Sequence, residues 1–420
     1  MRSTIAVFVA VFAVLGLLLG FSQSYDAPDE KRSGGLMSAS PMADSVPSDG
    51  EDILPAAASA PACPSDPIKE AKPGVNWSGC IFFNKHLAGV NLAGANLEDA
   101  YFGSSNLGGA NLEGANLTDA YLEGTRLGNV NLKNANLRNA NLAYATLGSA
   151  QLPGAILEGA RLANAQLHGA NLEGANLKGA NLSYAALEGA KLSNANLDGA
   201  DLIYANLKNA NFQSASLKGA FLNYASFPGT KLSNANLTGA SLPSVSLDDA
   251  QFDGAIFTNA GLDGATLGSA KGVNFEGAKL IRATLSHDDL SGANFKNADL
   301  SSAYIYSTNL QDANLERAKL HSAKLDGANF RGANLSYANL HAATPTYADF
   351  SNAILTNANL SNADFTNSNL QGAKLERADF NSAKLLRANF AGAYITGAAF
   401  TACIGDPTGT PAQGRLPDCA

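Results

Sequence analysis

The chain has 420 residues and a formal net charge of −8, with 36 acidic residues against 28 basic ones. It lacks the cationic excess that a nucleic-acid backbone would attract, so no nucleic-acid partner is expected. Residues 1–24 read as a targeting segment. Arg2 is the sole charge ahead of an apolar run from Ile5 to Phe21. That run is long for a signal peptide and marginal for a membrane span. Ser22-Gln23-Ser24 offers a small-x-small cleavage site, and no Cys follows the run to carry a lipid. The expectation is cleavage and export to a periplasm, a lumen or the cell exterior. The alternative is an uncleaved anchor, in which case Ile5 to Phe21 is the one membrane contact.

Residues 25–62 are rich in Ser, Pro, Ala and Asp. Such a composition cannot bury a core, and a disordered linker is predicted. A repeat domain, 63–402, follows, with an N-terminal cap over 63–80. Its basis is visible in Ala170 to Ala190, ANLEGANLKGANLSYAALEGA. A large apolar residue, the centre of each unit, recurs every fifth position from Trp77 to Leu267, which is 39 units, and again from Phe275 to Phe400, which is 26 units. Every centre is Leu or Phe except Trp77, Ile305, Pro345 and Ile395. A period of five suits neither an amphipathic helix nor a flat strand. Two residues before the centre stands Ala, or less often Val, Thr, Ser or Cys, and a spacing of two on extended backbone points both side chains inward. The residue between them, mostly Asn, faces out. The last residue, mostly Gly, Asn, Ser or Asp, bends the chain. Each unit is one short side plus one corner, and such units must stack to bury their apolar face.

The A-[ND]-L-x-G pattern resembles the pentapeptide-repeat family. The resemblance implies an all-β fold, a right-handed quadrilateral parallel β-helix with four sides per coil and about 16 coils. At ~4.8 Å per coil the rod would be roughly 75–80 Å long. A uniformly filled interior leaves no room for a substrate, so any activity belongs on the outer faces or at the ends.

The period breaks once, between Leu267 and Phe275. A spacing of eight reads as three residues inserted near Ala270-Lys271-Gly272, a bulge at one corner after which the stack resumes. Pro345 replaces a core Leu and removes a backbone donor, so its side should distort. Residues 403–420 leave the repeat and form a compact C-terminal cap, not another coil. Four cysteines allow three pairings. If the rod is right, its ends are too far apart for a disulfide. Cys63 with Cys80 and Cys403 with Cys419 are then the pairs left, one closing each end. Without these caps the exposed coil ends would invite association between copies.

Candidate outer sites are few. Tyr144, Tyr184, Tyr204 and Tyr224 share one corner column, interrupted by Asn164, and Tyr101 and Tyr121 form a shorter stack. Stacked rings can simply shield backbone; as a site, the column would suit a protein or a polysaccharide. His321 and His341 lie 20 residues apart on one face, with Ser301 and Ser361 on either side. They read as solvated ladder residues rather than a metal site, because no Cys, Asp or Glu shares their column. No nucleophile–base pair, phosphate-binding loop or cofactor motif occurs, so catalytic, metal and cofactor residues are none. The family includes DNA mimics that bind topoisomerases, but a mimic needs a dense acidic stripe. The repeats carry only −3, with Lys and Arg interspersed. The expected role is a non-enzymatic exported scaffold that binds a protein through its outer faces. The alternatives are polysaccharide binding at the Tyr column and, less favoured, topoisomerase mimicry.

Overall fold

The computed structural model describes residues 63–416, 418 and 419; the expected signal segment and linker lie outside the described residues. The middle residue of each unit forms a parallel bridge with the residue 20 positions on, as Asn76 does with Asn96 and Asn96 with Asn116. Twenty residues are four units, so each coil has four sides. Side 1 holds the centres Trp77, Leu97 and Leu117, side 2 holds Phe82, Phe102 and Leu122, side 3 holds Leu87 and Leu107, and side 4 holds Leu92 and Leu112. This is the right-handed quadrilateral β-helix expected from the repeat.

Local chemistry explains the unit. Leu97 N–H donates to Asn116 O at 2.7 Å, Asn96 N–H to Val75 O at 2.8 Å, and Ala100 N–H closes the corner on Leu97 O at 3.1 Å. The Asn at the middle position works twice. Asn116 Oδ1 accepts from Thr118 N–H at 3.2 Å to hold the corner, while its Nδ2 donates to Asn96 Oδ1 of the coil before at 3.1 Å. The last residue of the unit is left-handed, with φ of 62° at Gly94 and 56° at Asn139, where Gly and Asn are cheapest.

The Ala and Leu columns fill the interior; Ala180 and Leu182 are both 0% exposed. Hydroxyls enter this core only with a partner. Thr125 Oγ1 donates to Phe102 O at 2.9 Å and Thr230 Oγ1 to Leu207 O at 2.8 Å. Two inward positions depart from the small-residue rule read from the sequence. Lys85 lies on the first coil, where it is exposed. Asp288 lies beside the break.

The break is a deletion of two residues, not an insertion of three. Ile256 bridges Asn274, Gly261 bridges Lys279 and Thr266 bridges Thr284, so this coil has 18 residues. Ala270 takes the centre position of side 4, three residues after Leu267, and its N–H donates to Asp289 O at 3.0 Å. The corner before it is cut short. A Cβ on Gly268 would lie 2.8 Å from Asp248 O and 3.1 Å from Leu247 O, so no other residue fits there without a backbone shift. The stack resumes beyond the break, as expected. At Pro345 the bridges Asn339 to Asn359 and Asp349 to Asn369 hold on either side, and the distortion is limited to the missing bridge between Thr344 and Asp364.

Both ends are closed by disulfides, Cys63–Cys80 with Cα atoms 5.5 Å apart and Cys403–Cys419 at 4.8 Å. The N-terminal cap contains one helical turn, α1 (Pro67–Glu70), whose N-cap Asp66 accepts from Lys69 N–H at 3.3 Å. Trp77 is 4% exposed and rests on Phe82 with ring centroids 5.2 Å apart. The C-terminal tail follows the coils further than its sequence suggested. Ile404, Thr408 and Gln413 bridge Lys384, Asn389 and Tyr394, so the tail runs round three sides as an irregular last turn before its disulfide. No helix among the described residues is long and apolar enough to cross a membrane.

Each disulfide closes a loop of about 16 residues, worth about 3 kcal/mol in the entropic account. Reduction should leave the middle coils folded and make the rods self-associate through bared coil ends. Sedimentation velocity of oxidised and reduced protein checks this; a monomer after full reduction would remove the capping role.

Candidate interaction surface

Four-sided stacking assigns every outward residue to a side, and one side is unlike the others. From Ile81 to Ile281 the exposed large apolar residues are Ile81, Phe83, Tyr144, Tyr184, Tyr204, Phe221, Tyr224 and Ile281. All eight stand on side 2 or on the corner that follows it. Random placement would scatter them over four sides. Between Ile81 and Gly264 the outward charges of side 2 are Glu123, Arg161, Asp201 and Asp263, half the number on side 1 over the same coils. Beyond Ile281 the exposed large apolar residues stand on sides 1 and 3, as with Tyr304, Tyr337 and Tyr347.

The Tyr column is placed as the sequence suggested. Tyr184 and Tyr204 stack at 5.0 Å between centroids and Tyr204 and Tyr224 at 4.9 Å, while Tyr144 stands apart beyond Asn164. Their φ angles are 58–60°, a conformation that a bulky residue occupies at a cost and that Gly would occupy freely. Stacking and partial cover of the coil return part of that cost. The stacking also turns ring faces toward each other. Tyr204 is covered on both faces, so the inner column offers edges and hydroxyls rather than platforms for a sugar. Tyr101 and Tyr121 stack at 4.4 Å over Gly103, where an added Cβ would meet the Tyr101 ring at 3.0 Å. Burial raises the Tyr121 phenol above its ordinary range, and its hydrogen bond to Glu123 Oε2, 2.7 Å, acts in the same direction. Phe83 lies 6.0 Å from Tyr101, extending this aromatic run to the N-terminal end.

Elsewhere the surface charges pair between coils. Lys133 meets Glu113 at 3.5 Å, Arg138 meets Glu158 at 2.8 Å and Lys208 meets Glu188 at 3.4 Å. Each such pair breaks up what would have to be a continuous acidic stripe. Exposed pairs of this kind add little stability. A shallow hollow of about 250 Å³ lies between Phe227, Pro228, Ser246 and Asp249. No group of three or more His, Cys, Asp or Glu side chains suited to a metal occurs among the described residues.

Two features carry little signal in the linear sequence. The sidedness of the apolar residues is visible only when positions are counted modulo four units, which is what groups Ile81, Phe83 and Phe221 with the tyrosines. Asp288 was legible as a non-Ala residue two positions before a centre. Its Oδ2 is buried with no hydrogen-bond partner among the described residues, and burial, followed by the charge of Asp248, pushes the carboxyl up to about 7.

Comparison with solved structures finds HetL, a pentapeptide repeat protein involved in heterocyst differentiation regulation from Nostoc sp. strain PCC 7120. It is 27% identical over 67% of this chain and 90% of that one, with a TM-score of 0.18. A pentapeptide repeat protein of the Arabidopsis thaliana thylakoid lumen is 28% identical over 28% of this chain and 70% of its own, with a TM-score of 0.20. QnrB1, a plasmid-mediated fluoroquinolone resistance protein, is 17% identical over 61% of this chain and 89% of its own, with a TM-score of 0.25. No curated protein matches the chain. Matches to the family of pentapeptide repeats tile residues 80–404, and over that span the unit, its corner and its inward columns are those just described; the chain belongs to the pentapeptide-repeat family.

Proposed function

We propose that this protein is an exported, non-enzymatic scaffold that binds a protein partner along side 2. The reading is carried by one observation, the collection of all eight exposed large apolar residues between Ile81 and Ile281 on that side. Aromatic side chains with few charges among them match the composition of interface centres. Four tyrosines hold a left-handed backbone that Gly would adopt freely, which fits retention for contact rather than for folding. The two disulfides support an oxidising compartment and hence export.

The test is cross-linking capture from the native compartment, followed by affinity measurement with the captured protein. Changing Tyr184, Tyr204 and Tyr224 to Ser should keep the fold, since none stands at an inward position. It should weaken binding by about 30-fold or more if these rings form the energetic centre. A triple variant that binds its partner like the wild type would remove the side 2 reading.

A further inference from the structure

Beyond the break, side 2 changes character. Ser301, His321, His341 and Ser361 form one outward column at intervals of one coil, and both histidines are exposed. Their hydrogen bonds fix more than their positions. The Ser301 hydroxyl donates to Asp299 Oδ1, which also accepts Ser301 N–H at 3.1 Å, and Lys319 Nζ holds Asp299 Oδ2 at 3.3 Å. Burial opposes ionisation of Asp299, but the bonds from Ser301 and Lys319 outweigh it and hold the carboxyl below its usual range. An ionised Asp299 takes the only hydroxyl proton of Ser301. Toward His321, 2.9 Å away, Ser301 Oγ can then only accept, so Nδ1 of His321 carries hydrogen.

The other end of the column repeats the logic. Ser361 Oγ donates to Asn359 Oδ1 at 2.6 Å, an atom that also accepts Ser361 N–H at 3.1 Å. Ser361 Oγ therefore accepts from His341 Nδ1 at 2.9 Å. The hydrogen bonds therefore select the Nδ1–H tautomer of each imidazole, the form whose lone pair is on Nε2. Direction matters as well. His321 reaches back to the coil before it, and His341 reaches on to the coil after it. Nδ1 and Nε2 lie on opposite flanks of the ring, so turning the two Nδ1 atoms apart turns the two Nε2 atoms toward each other. The coils beneath are ~4.8 Å apart, a span that one ion can bridge with two nitrogens.

We propose that His321 and His341 form an open two-imidazole site for a divalent first-row transition ion of the nitrogen-favouring kind, Cu(II) or Zn(II), with water in the remaining positions. Imidazole is a good donor for both ions, and Cu(II) binds more tightly in the general order. Ligating histidines usually donate their other ring N–H to a polar partner that sets tautomer and orientation. Here Ser301 and Ser361 already do so. The rings stand on stacked bridges rather than on a loop, so binding need not order the chain. Lys319 beside the pair is neutralised by Asp299. The other histidines, His86, His168 and His287, have no second histidine one coil away. The inference is independent of the side 2 partner.

The experiment uses the full chain, with Zn(II) calorimetry and Cu(II) electron paramagnetic resonance. The expected result is one ion per chain, with nitrogen coupling from two imidazoles. The exposed single variants His321→Asn and His341→Asn should each lose at least about tenfold in affinity, and the double variant should lose the site. Ser301→Ala with Ser361→Ala should weaken binding by about 10–100-fold while both ligands remain. Wild-type binding by the double His variant, coupling to a single nitrogen, or unchanged affinity in the paired Ser variant would each overturn the proposal. If the Ser variant loses its fold by circular dichroism, the single His variants still decide the matter.

Discussion

Replacing Leu182 with Ala is expected to destabilise the coil stack by about 2–5 kcal/mol, while Glu173→Ala should change stability by about 0.5 kcal/mol or less. Leu182 is 0% exposed and sits among inward Ala and Leu columns that have little room to collapse. The cavity left by its side chain would therefore persist, and the loss should fall toward the upper part of the range. Glu173 is exposed on side 4 and touches nothing in the core. Urea denaturation of the two variants decides the matter. Equal effects would contradict the inward and outward assignment on which every column described above depends. Because each coil contacts only its neighbours, a loss at Leu182 should also loosen the adjacent coils before the ends.

Asp288→Ala should stabilise the protein at pH 8. The carboxyl occupies a position where the column otherwise holds a small side chain, and its Oδ2 is buried without a partner among the described residues. Thr308, one coil further on in the same column, shows what a polar residue needs there, since its hydroxyl donates to Leu285 O. Asp288 has no such outlet when ionised. Burial, then the nearby charge of Asp248, raises its carboxyl from the ordinary 3.8 to about 7. The sign follows from linkage. The folded chain holds this proton more tightly than the unfolded chain. The associated stability is full below about pH 4 and is lost as pH rises through about 7. The group is only half buried, so solvent screening reduces the effect to about 1–3 kcal/mol. Denaturation of wild type and Asp288→Ala at pH 5 and pH 8 isolates the term, because the other carboxylates cancel in the difference. Wild type should lose ground to the variant between these two values; parallel behaviour would show that Asp288 ionises without penalty.

Most of the fold is legible in the sequence because one rule is repeated with few exceptions. Leu and Ala at fixed spacing specify the interior, Asn specifies both the corner and the ladder between coils, and the rod then restricts the disulfides. The break is different. A spacing of eight between Leu267 and Phe275 equals one unit plus three or two units minus two, and the linear text cannot separate these. The pairing of Thr266 with Thr284 separates them, because it counts sides rather than residues. The candidate surface was legible in part. The tyrosines form a visible column, but the grouping of Ile81, Phe83 and Phe221 with them needs four sides per coil as well as a period of five. The orientation of His321 and His341 has no sequence signal, since it depends on which flank of each ring meets a serine.

The short coil at Gly268 carries a consequence for how this molecule can change length. Trimming two residues from a corner preserves the count of four sides, so everything downstream keeps its compass bearing. His321 and His341 consequently stand on the same side of the coils as Tyr184, Tyr204 and Tyr224, about 24 Å beyond Tyr224 at ~4.8 Å per coil. Deleting one whole unit of five would do the opposite. The core would still be Leu and Ala, and the stack could still close, but every later side chain would swing through a quarter turn. Indels in such a chain thus fall into two kinds, those that respect the azimuth and those that reset it. Loss of a corner dipeptide is nearly silent to a partner, whereas loss of a seamless repeat scrambles the outer surface.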